Sequence, residues 1–311
     1  MTAPAAPASQ AGTSITLLKG AARLLAGERR RDAVALGDAC LAAGALAAQR
    51  TGRHGARIRL RRLRAALRAG EASDDLAAPF LDLHGRCGLR LDMAELFVTT
   101  LLRDTEDPVI ETWNGLIRYC HGSGGTVAVM LAPVLGAAAE AEDVLPFAID
   151  LGIAVRLVDI ARDTRHDAEC GRVYLPAALL PRSVTPARLA EGAPAAVAAA
   201  HGVAQKLLKR AAVHFRSAES GLSALPARSR AAVLVAIRQH EALGERIADA
   251  APETWWQRPT TLPAMGRTWR TGRTLAGFAT DSRLRNGHQP PPEHVAALHR
   301  PLRGLPGVPR P

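Results

Sequence analysis

The sequence has few aromatic residues, few lysines and few cysteines. Aromatic residues make up 4% of the 311 positions, and lysine occurs only at Lys19, Lys206 and Lys209. The four cysteines form no CxxC pair, which argues against a disulfide framework or a cysteine-ligated zinc module. No basic stretch is interleaved with aromatic residues, so we do not expect a nucleic-acid partner.

The sequence also lacks a long apolar run. No run reaches the length of a membrane span, and the N-terminus lacks the basic start and apolar core of a secretory signal. We therefore expect a soluble, cytoplasmic protein with at most peripheral membrane contact. The formal net charge of +11 comes almost entirely from arginine. Such an excess fits phosphorylated substrates or an anionic surface, as well as a simple bias in codon usage.

The residues that are present predict an all-α protein. Hydrophobic residues make up 48% of the chain, alanine and leucine are frequent, and no strand-like alternation occurs. We expect a disordered N-terminal segment over residues 1–13, one helical domain over 14–280 and a Pro/Arg-rich tail over 281–311 that is disordered or loosely docked. A strongly basic helix is predicted at Arg53–Arg68, with its arginines on a solvated outer face.

One helix carries a stripe of carboxylates. An apolar helix predicted from about Val144 to Val158 continues into Asp159, Asp163 and Asp167, which share one face at four-residue spacing. Like charges at this spacing repel each other by a few tenths of a kcal/mol per pair. A magnesium ion that bridges carboxylates to phosphates explains the stripe, whereas a solvated charged face is the simpler alternative. Arginines that suit phosphate oxygens lie alongside: Arg156, Arg162, Arg165 and Arg172.

Two segments resemble the squalene/phytoene synthase family. Asp159-Ile-Ala-Arg-Asp-x-x-x-Asp167, followed by Gly171-Arg-Val-Tyr-Leu-Pro176, is similar to the second aspartate-rich signature of that family. Tyr119-Cys-His-Gly-Ser-Gly-Gly-Thr-Val-Ala-Val-Met130 resembles its Tyr-Cys…Ala-Gly-Thr-Val-Gly segment. The resemblance implies a single-domain, all-α isoprenoid-synthase bundle with a central cavity, Mg²⁺ as cofactor and a prenyl diphosphate as substrate.

The resemblance also implies roles for individual residues. It implies metal binding by Asp163 and Asp167, catalytic roles for Asp163, Asp167 and Tyr174, diphosphate binding by Arg162, Arg172 and Arg258, and a substrate cavity lined by Tyr119, Ser123, Val127 and Met130. Asp159, Arg156 and His240 stand where the family has asparagine, glutamine and tyrosine. We expect Asp159 to join the metal ligands, Arg156 the diphosphate site and His240 the cavity. The alternative for the cavity residues is ordinary core packing. For Arg172 and Tyr174 the alternative is packing at the end of the helix.

The first aspartate-rich motif of the family is missing. The register of Leu24–Gly37 against the family's first conserved block puts Gly44, Ala45 and Ala48 where three aspartates should stand. An apolar half-site cannot compensate the charge of a second diphosphate. We therefore predict a Mg²⁺-dependent prenyltransferase of secondary metabolism. It would ionise one allylic prenyl diphosphate and transfer the prenyl group to an aromatic, indole- or carbazole-like acceptor.

Two alternatives stay open at this point. The first is head-to-head condensation of two prenyl diphosphates, with the first site rebuilt from Arg29, Arg30, Arg31 and Asp32. The second is a non-catalytic member of the family that acts as a partner or assembly subunit. Retention of the aspartate stripe argues against the second alternative, because an inert scaffold has no use for it. The sequence carries no indication of an oligomeric state.

Overall fold

The computed structural model describes residues 20–49, 51–137, 142–282 and 293–308. The predicted disordered segment 1–13 lies outside these residues. The α-helices of the described residues are α1 (Gly27–Ala48), α2 (Arg53–Ala69), α3 (Ala78–Cys87), α4 (Leu91–Asp104), α5 (Trp113–Cys120), α6 (Thr126–Val134), α7 (Leu145–Glu169), α8 (Pro186–Ala190), α9 (Pro194–Ser220), α10 (Ala227–Ala248), α11 (Pro252–Gln257) and α12 (Ala264–Thr280). Short 3₁₀-helices and turns connect them, and no strand occurs in the described ranges. The predicted all-α fold is confirmed.

Helix α7 is the centre of the bundle. Of its 25 residues, 18 are buried, on all sides of the helix. A helix that is buried all round belongs in the interior of a large domain rather than on its surface. It packs most extensively against α9 and also contacts α6, α8 and α10. The aspartate stripe therefore belongs to a core helix, and the solvated-face alternative does not describe it.

Helices α5 and α6 are joined by a π-helical turn over His121–Gly125. From the sequence, the glycines of this segment predict that the helix ends here. In the structure the helix continues through the segment. Gly124 lies against Gly152 of α7, and a methyl group on either residue would overlap the carbonyl oxygen of the other. The glycines thus permit a backbone-to-backbone helix crossing that no larger residue allows.

The basic helix α2 follows its prediction. Its buried residues are apolar (Ala56, Leu60, Leu63, Ala66 and Leu67), and most of its arginines face solvent.

No helix among the described residues combines the length and the apolar character that crossing a membrane requires.

Part of the predicted tail is packed against the helical body. The 3₁₀-helix Ala296–Leu302 buries Leu298, His299 and Leu302, and Leu302 is fully buried. Residues 293–308 are therefore docked, because a few apolar and histidine side chains among the prolines and arginines find partners on the bundle. The predicted domain boundaries stay predictions.

Candidate active site

The three aspartates of the stripe lie on the C-terminal half of α7. Asp159 and Asp167 are buried and Asp163 is half-buried. Arg162 forms a two-pronged ion pair with Asp163, from Nε to Oδ1 at 2.7 Å and from Nη2 to Oδ2 at 2.5 Å. Its Nη1 lies 3.0 Å from Oδ1 of Asp159. One arginine of the same helix therefore offsets the repulsion between the first two carboxylates.

The end of α7 turns the chain back toward the stripe. Gly171 has a left-handed backbone with φ of 76°, a conformation that favours glycine. Its amide donates to the carbonyl of Ala168 at 2.8 Å. The amide of Arg172 donates to the carbonyl of Asp167, also at 2.8 Å, which completes a Schellman motif. This reversal returns Arg172 and Tyr174 to the neighbourhood of the aspartates.

Arg156 connects α7 with the segment that begins at α5. Its guanidinium donates to the Tyr119 hydroxyl at 2.9 Å and to Ser123 Oγ at 3.2 Å. The rings of Tyr119 and Tyr174 are stacked with centroids 5.0 Å apart, and the guanidinium carbon of Arg156 lies 5.4 Å from the Tyr119 centroid. Three residues of the two family-like segments (Tyr119, Ser123 and Tyr174) thus meet Arg156 in one largely buried network.

A further carboxylate, Asp104 at the end of α4, completes the network. It is buried and accepts hydrogen bonds from the hydroxyls of Tyr119 at 3.0 Å and Tyr174 at 3.3 Å. Burial raises the pKa of Asp104 to about 6, against the attraction of nearby Arg156. The sequence reasoning missed Asp104. Its signal was an acid in the last turn of a helix, where the helix dipole disfavours negative charge.

The carboxylate of Asp167 is buried and lies near a second negative charge. Burial, and then the charge of Asp163, raise the pKa of Asp167 well above its usual range. Its Oδ2 atom is buried and has no hydrogen-bond partner within the described part of the chain. A buried carboxylate oxygen without a partner is costly, and a cation bound there would relieve that cost.

Arg172 reaches the helix that should carry the first aspartate-rich motif. Its Nε donates to Oδ1 of Asp107 at 2.8 Å, and its Nη2 donates to the carbonyl of Ala47 in α1 at 3.4 Å. Arg53, at the start of α2, pairs with the other oxygen of Asp107 at 2.5 Å. Two guanidinium groups therefore border the C-terminal end of α1, although α1 supplies neither.

The wall that α1 forms is apolar, as the sequence predicts. Gly44 is buried, whereas Ala45 and Ala48 are exposed. The alternative cluster Arg29–Arg31 is exposed at the opposite end of the helix, about 27 Å from Ala47 at 1.5 Å per residue. Its acidic member Asp32 pairs with Arg86 at 2.9 Å. The structure therefore does not assemble a rebuilt phosphate site from these four residues.

An apolar cleft lies between α1, α6 and α10. It encloses about 530 Å³ of empty space, including its open mouth. Residues that line it include Leu36, Gly37, Val127 and Val233, and every lining side chain is apolar. Val127 lies in the first turn of α6, directly after the π-helical turn that contains Ser123. The cleft is suited to a hydrocarbon chain.

Three predicted site residues lie apart from this network. Arg258 is exposed beyond the end of α11, and no described contact joins it to the aspartates. Met130 is fully buried in the hydrophobic core. His240 is fully buried and its Nδ1 lies 2.7 Å from the carbonyl of Ala236. Burial lowers the pKa of His240 to about 4, so its ring is neutral at neutral pH.

Comparisons with known proteins place these features in a family. Residues 20–266 match the model of squalene/phytoene synthase. The 15-cis-phytoene synthase of Enterobacter agglomerans is 37% identical over 159 residues, which are 51% of this chain and 52% of that protein. The phytoene synthase of Pseudescherichia vulneris is 33% identical over 208 residues, 65% of this chain and 66% of that protein. The chain thus spans about half to two thirds of these relatives.

The fold is similar to that of a solved dehydrosqualene synthase. The TM-score is 0.63 at 15% sequence identity, over 88% of this chain and 99% of that chain. At this identity the similarity bears on the fold alone.

The predicted transfer to an aromatic acceptor is wrong. The relatives are named phytoene synthase, which agrees with the head-to-head alternative instead. The prediction equated loss of the acids on α1 with loss of all charge compensation at that wall. It did not account for Arg172 and Arg53, which other segments bring to the end of α1.

Proposed function

We propose, from the premise that this chain belongs to the squalene/phytoene synthase family of prenyltransferase-type enzymes, that it condenses two prenyl diphosphates head to head. The observation that carries the proposal is a largely buried set of charged side chains together with an apolar cleft that begins one helical turn after Ser123. The charged set is the stripe of Asp159, Asp163 and Asp167 with Arg156 on the same helix, and the cleft has the character that prenyl chains need. The names of the phytoene synthase relatives support the same reaction.

The stripe on α7 fits a divalent cation. Asp159, Asp163 and Asp167 offer oxygen ligands only, which Mg²⁺ prefers. The unpartnered Oδ2 of buried Asp167 is a ligand atom with no other described role. We infer that these three residues hold Mg²⁺. When bound, the cation would neutralise diphosphate oxygens and so favour departure of the leaving group.

The groups around the stripe bind and orient the substrate. Arg156 keeps its charge in the buried network. We assign Arg156 and Arg162 to the oxygens of the first diphosphate, because guanidinium groups bind phosphate in a two-pronged manner. Burial raises the pKa of both Tyr119 and Tyr174 above the usual value. The two phenols therefore keep their protons, and they act as hydrogen-bond donors.

The stacked tyrosines also offer ring faces to a developing cation. When an allylic C–O bond breaks, the diphosphate leaves with the bonding electrons and positive charge remains on the prenyl chain. Ring faces stabilise such charge by about 0.5–2 kcal/mol each, more where water is excluded. Tyr174 is buried and close enough to Asp167 for the two groups to interact electrostatically, and half-buried Tyr119 stacks against it. We assign Tyr174 a catalytic role on this basis.

The second diphosphate requires positive charge at the apolar wall. We propose that Arg172 and Arg53 supply it at the end of α1, in place of a second metal-binding aspartate motif. Their shared partner Asp107 is exposed to solvent. When the two arginines turn toward a bound diphosphate, the carboxylate of Asp107 is therefore still solvated by water. The cleft between α1 and α10 then receives hydrocarbon rather than charge.

The test is turnover of defined substrates. The purified chain is incubated with isotope-labelled geranyl, farnesyl or geranylgeranyl diphosphate and Mg²⁺, and products are separated by mass. We expect a hydrocarbon that contains two prenyl units, with two diphosphates released for each product molecule, and no product in EDTA. Prenyl alcohol alone, with one diphosphate released per substrate, would contradict the condensation. Absence of both turnover and Mg²⁺-dependent diphosphate binding would favour the partner-subunit alternative.

A further inference from the structure

A second cluster of ionisable side chains lies on the N-terminal half of α7, away from the aspartate stripe. Asp150 is fully buried and accepts hydrogen bonds from four side chains. They are His214 Nδ1 at 2.7 Å, His294 Nε2 at 2.8 Å, His299 Nε2 at 3.0 Å and Ser217 Oγ at 2.5 Å. Two of the three histidines belong to the packed part of the C-terminal tail.

The ligand atoms converge as they do around a metal ion. One carboxylate oxygen of Asp150 and the Nε2 atoms of His294 and His299 all lie within 4.8 Å of one another. Ligands of tetrahedral zinc stand about 2.0–2.2 Å from the metal, and hence about 3.3–3.5 Å from each other. His294 Nε2 lies 2.8 Å from Oδ2 of Asp150 and His299 Nε2 lies 3.0 Å from Oδ1, so each imidazole faces its own carboxylate oxygen. Both distances are shorter than a ligand–ligand distance by about half an ångström, which small side-chain shifts can supply.

We propose that Asp150, His294 and His299 bind a divalent transition-metal ion, zinc in the first instance. Imidazole nitrogen together with carboxylate oxygen is a donor set that zinc accepts and that magnesium does not favour. This site is therefore chemically distinct from the all-oxygen stripe nine residues further along the same helix. It does not depend on the proposed function.

The remaining partners of Asp150 support the carboxylate. His214 on α9 and Ser217 one turn later hydrogen-bond its two oxygens, and such contacts are the usual way in which a metal-binding carboxylate is oriented. His294 also packs edge-on against Phe147, at 5.3 Å between ring centroids. The ligands are thus held on three sides by side chains of α7 and α9.

The metal would fasten the tail to the helices that carry the candidate active site. The tail accepts hydrogen bonds at the Pro301 carbonyl from Arg118 Nε at 2.6 Å and at the Pro306 carbonyl from His121 Nε2 at 3.1 Å. Arg118 and His121 flank Tyr119 in the chain. A metal at Asp150 therefore ties the segment that covers α5 to the central helix.

The test measures metal content and metal-dependent stability in protein without a polyhistidine tag. We expect about one equivalent of zinc after zinc exposure and gel filtration, a higher Tm with zinc than with EDTA, and visible absorption typical of tetrahedral Co²⁺ on substitution. The double variant His294→Gln/His299→Gln keeps amide donors for Asp150 but loses the imidazole ligands. It should bind less than about a tenth as much zinc.

Two controls identify the site. His54→Gln removes an exposed histidine and should leave zinc content unchanged. Asp163→Asn alters the stripe and should also retain the zinc, so that failure of this proposal is distinguishable from failure of the proposed function. Wild-type protein without bound zinc and with no change in Tm would overturn the proposal, since the cluster would then be a hydrogen-bonded one only. Full zinc retention in the double histidine variant would overturn it equally.

Discussion

Helices α7 and α1 border the same region of the bundle with opposite chemistry. The C-terminal half of α7 carries three aspartates and two arginines, mostly buried. The corresponding half of α1, from Leu36 to Ala48, has a single charged residue, the exposed Asp38. Yet the end of α1 is bordered by guanidinium groups that come from α2 and from the loop after α7. The charge on one side of the site therefore depends on every segment that reaches that side, and not only on the helix that forms it.

The largest expected effect is on the acidic side of this comparison. Asp163→Asn keeps the size of the side chain but removes a negative charge from the stripe, so Mg²⁺-dependent turnover should fall about 1,000-fold. Steady-state release of diphosphate measures it. Glu169→Gln, an exposed acid on the same helix, is the matched control and should stay near wild type. Activity of the Asp163 variant within about tenfold of wild type would remove the stripe from the mechanism.

The position of the acidic helix depends on a backbone contact. Gly152→Ala puts a methyl group against the carbonyl of Gly124, so the crossing must widen. We expect the free energy of unfolding to drop by about 3 kcal/mol in urea titrations. Gly202→Ala in α9 is the control, because no atom lies within 4 Å of the added methyl group. That variant should gain about 0.5–1 kcal/mol, and equal losses in both would contradict the argument.

The buried carboxylate Asp104 should make the metal-free protein less stable as pH rises. Its folded pKa of about 6 lies above its unfolded value of 3.8, so the folded state holds the proton more tightly. This contribution is complete below about pH 4 and is lost as pH rises through about 6, up to about 3 kcal/mol. Asp104→Asn should flatten the unfolding free energy across that interval in EDTA. Curves that stay parallel would show that Asp104 does not titrate there.

The smallest expected effect is on the apolar side. Arg172→Gln removes a guanidinium from the end of α1 while leaving Arg53 in place. The rate of condensation should fall about 30-fold in this variant. The rate at which the variant hydrolyses a single prenyl diphosphate should fall by less. Arg68→Gln, an exposed arginine at the far end of α2, controls for loss of charge alone. Equal effects of the two variants would mean that the border arginines do not meet the second diphosphate.

Much of the fold and of the acidic site follows from local sequence. The four-residue spacing on α7 and the glycine after it predict a helix, a stripe and a reversal, because each depends on residues close together in the chain. Asp104 and Arg53 escaped the reasoning, since their partners are 15 to 70 residues away. The contacts of the tail could not be read from local sequence for the same reason. The partners of Asp150 in it are 144 and 149 residues distant.

The aromatic acceptor that we inferred from the apolar wall failed for a different reason. The loss of three aspartates from α1 is plain in the sequence, and the structure agrees that Gly44, Ala45 and Ala48 supply no charge. What a motif comparison does not reveal is substitution from elsewhere in the fold. Arg172 follows the second motif in sequence but borders the first wall in space.

The π-helical turn at His121–Gly125 holds one residue more than an α-helical count allows. Each residue of an α-helix advances the azimuth by about 100°, so deleting one glycine here would rotate everything before the turn by that angle relative to everything after it. Val127 would still point into the cleft, but Tyr119 would swing away from Arg156 and Asp104. The extra residue thus rotates the helical segment before the turn relative to the segment after it. This rotation lets Tyr119 face Arg156 while Val127 faces the cleft.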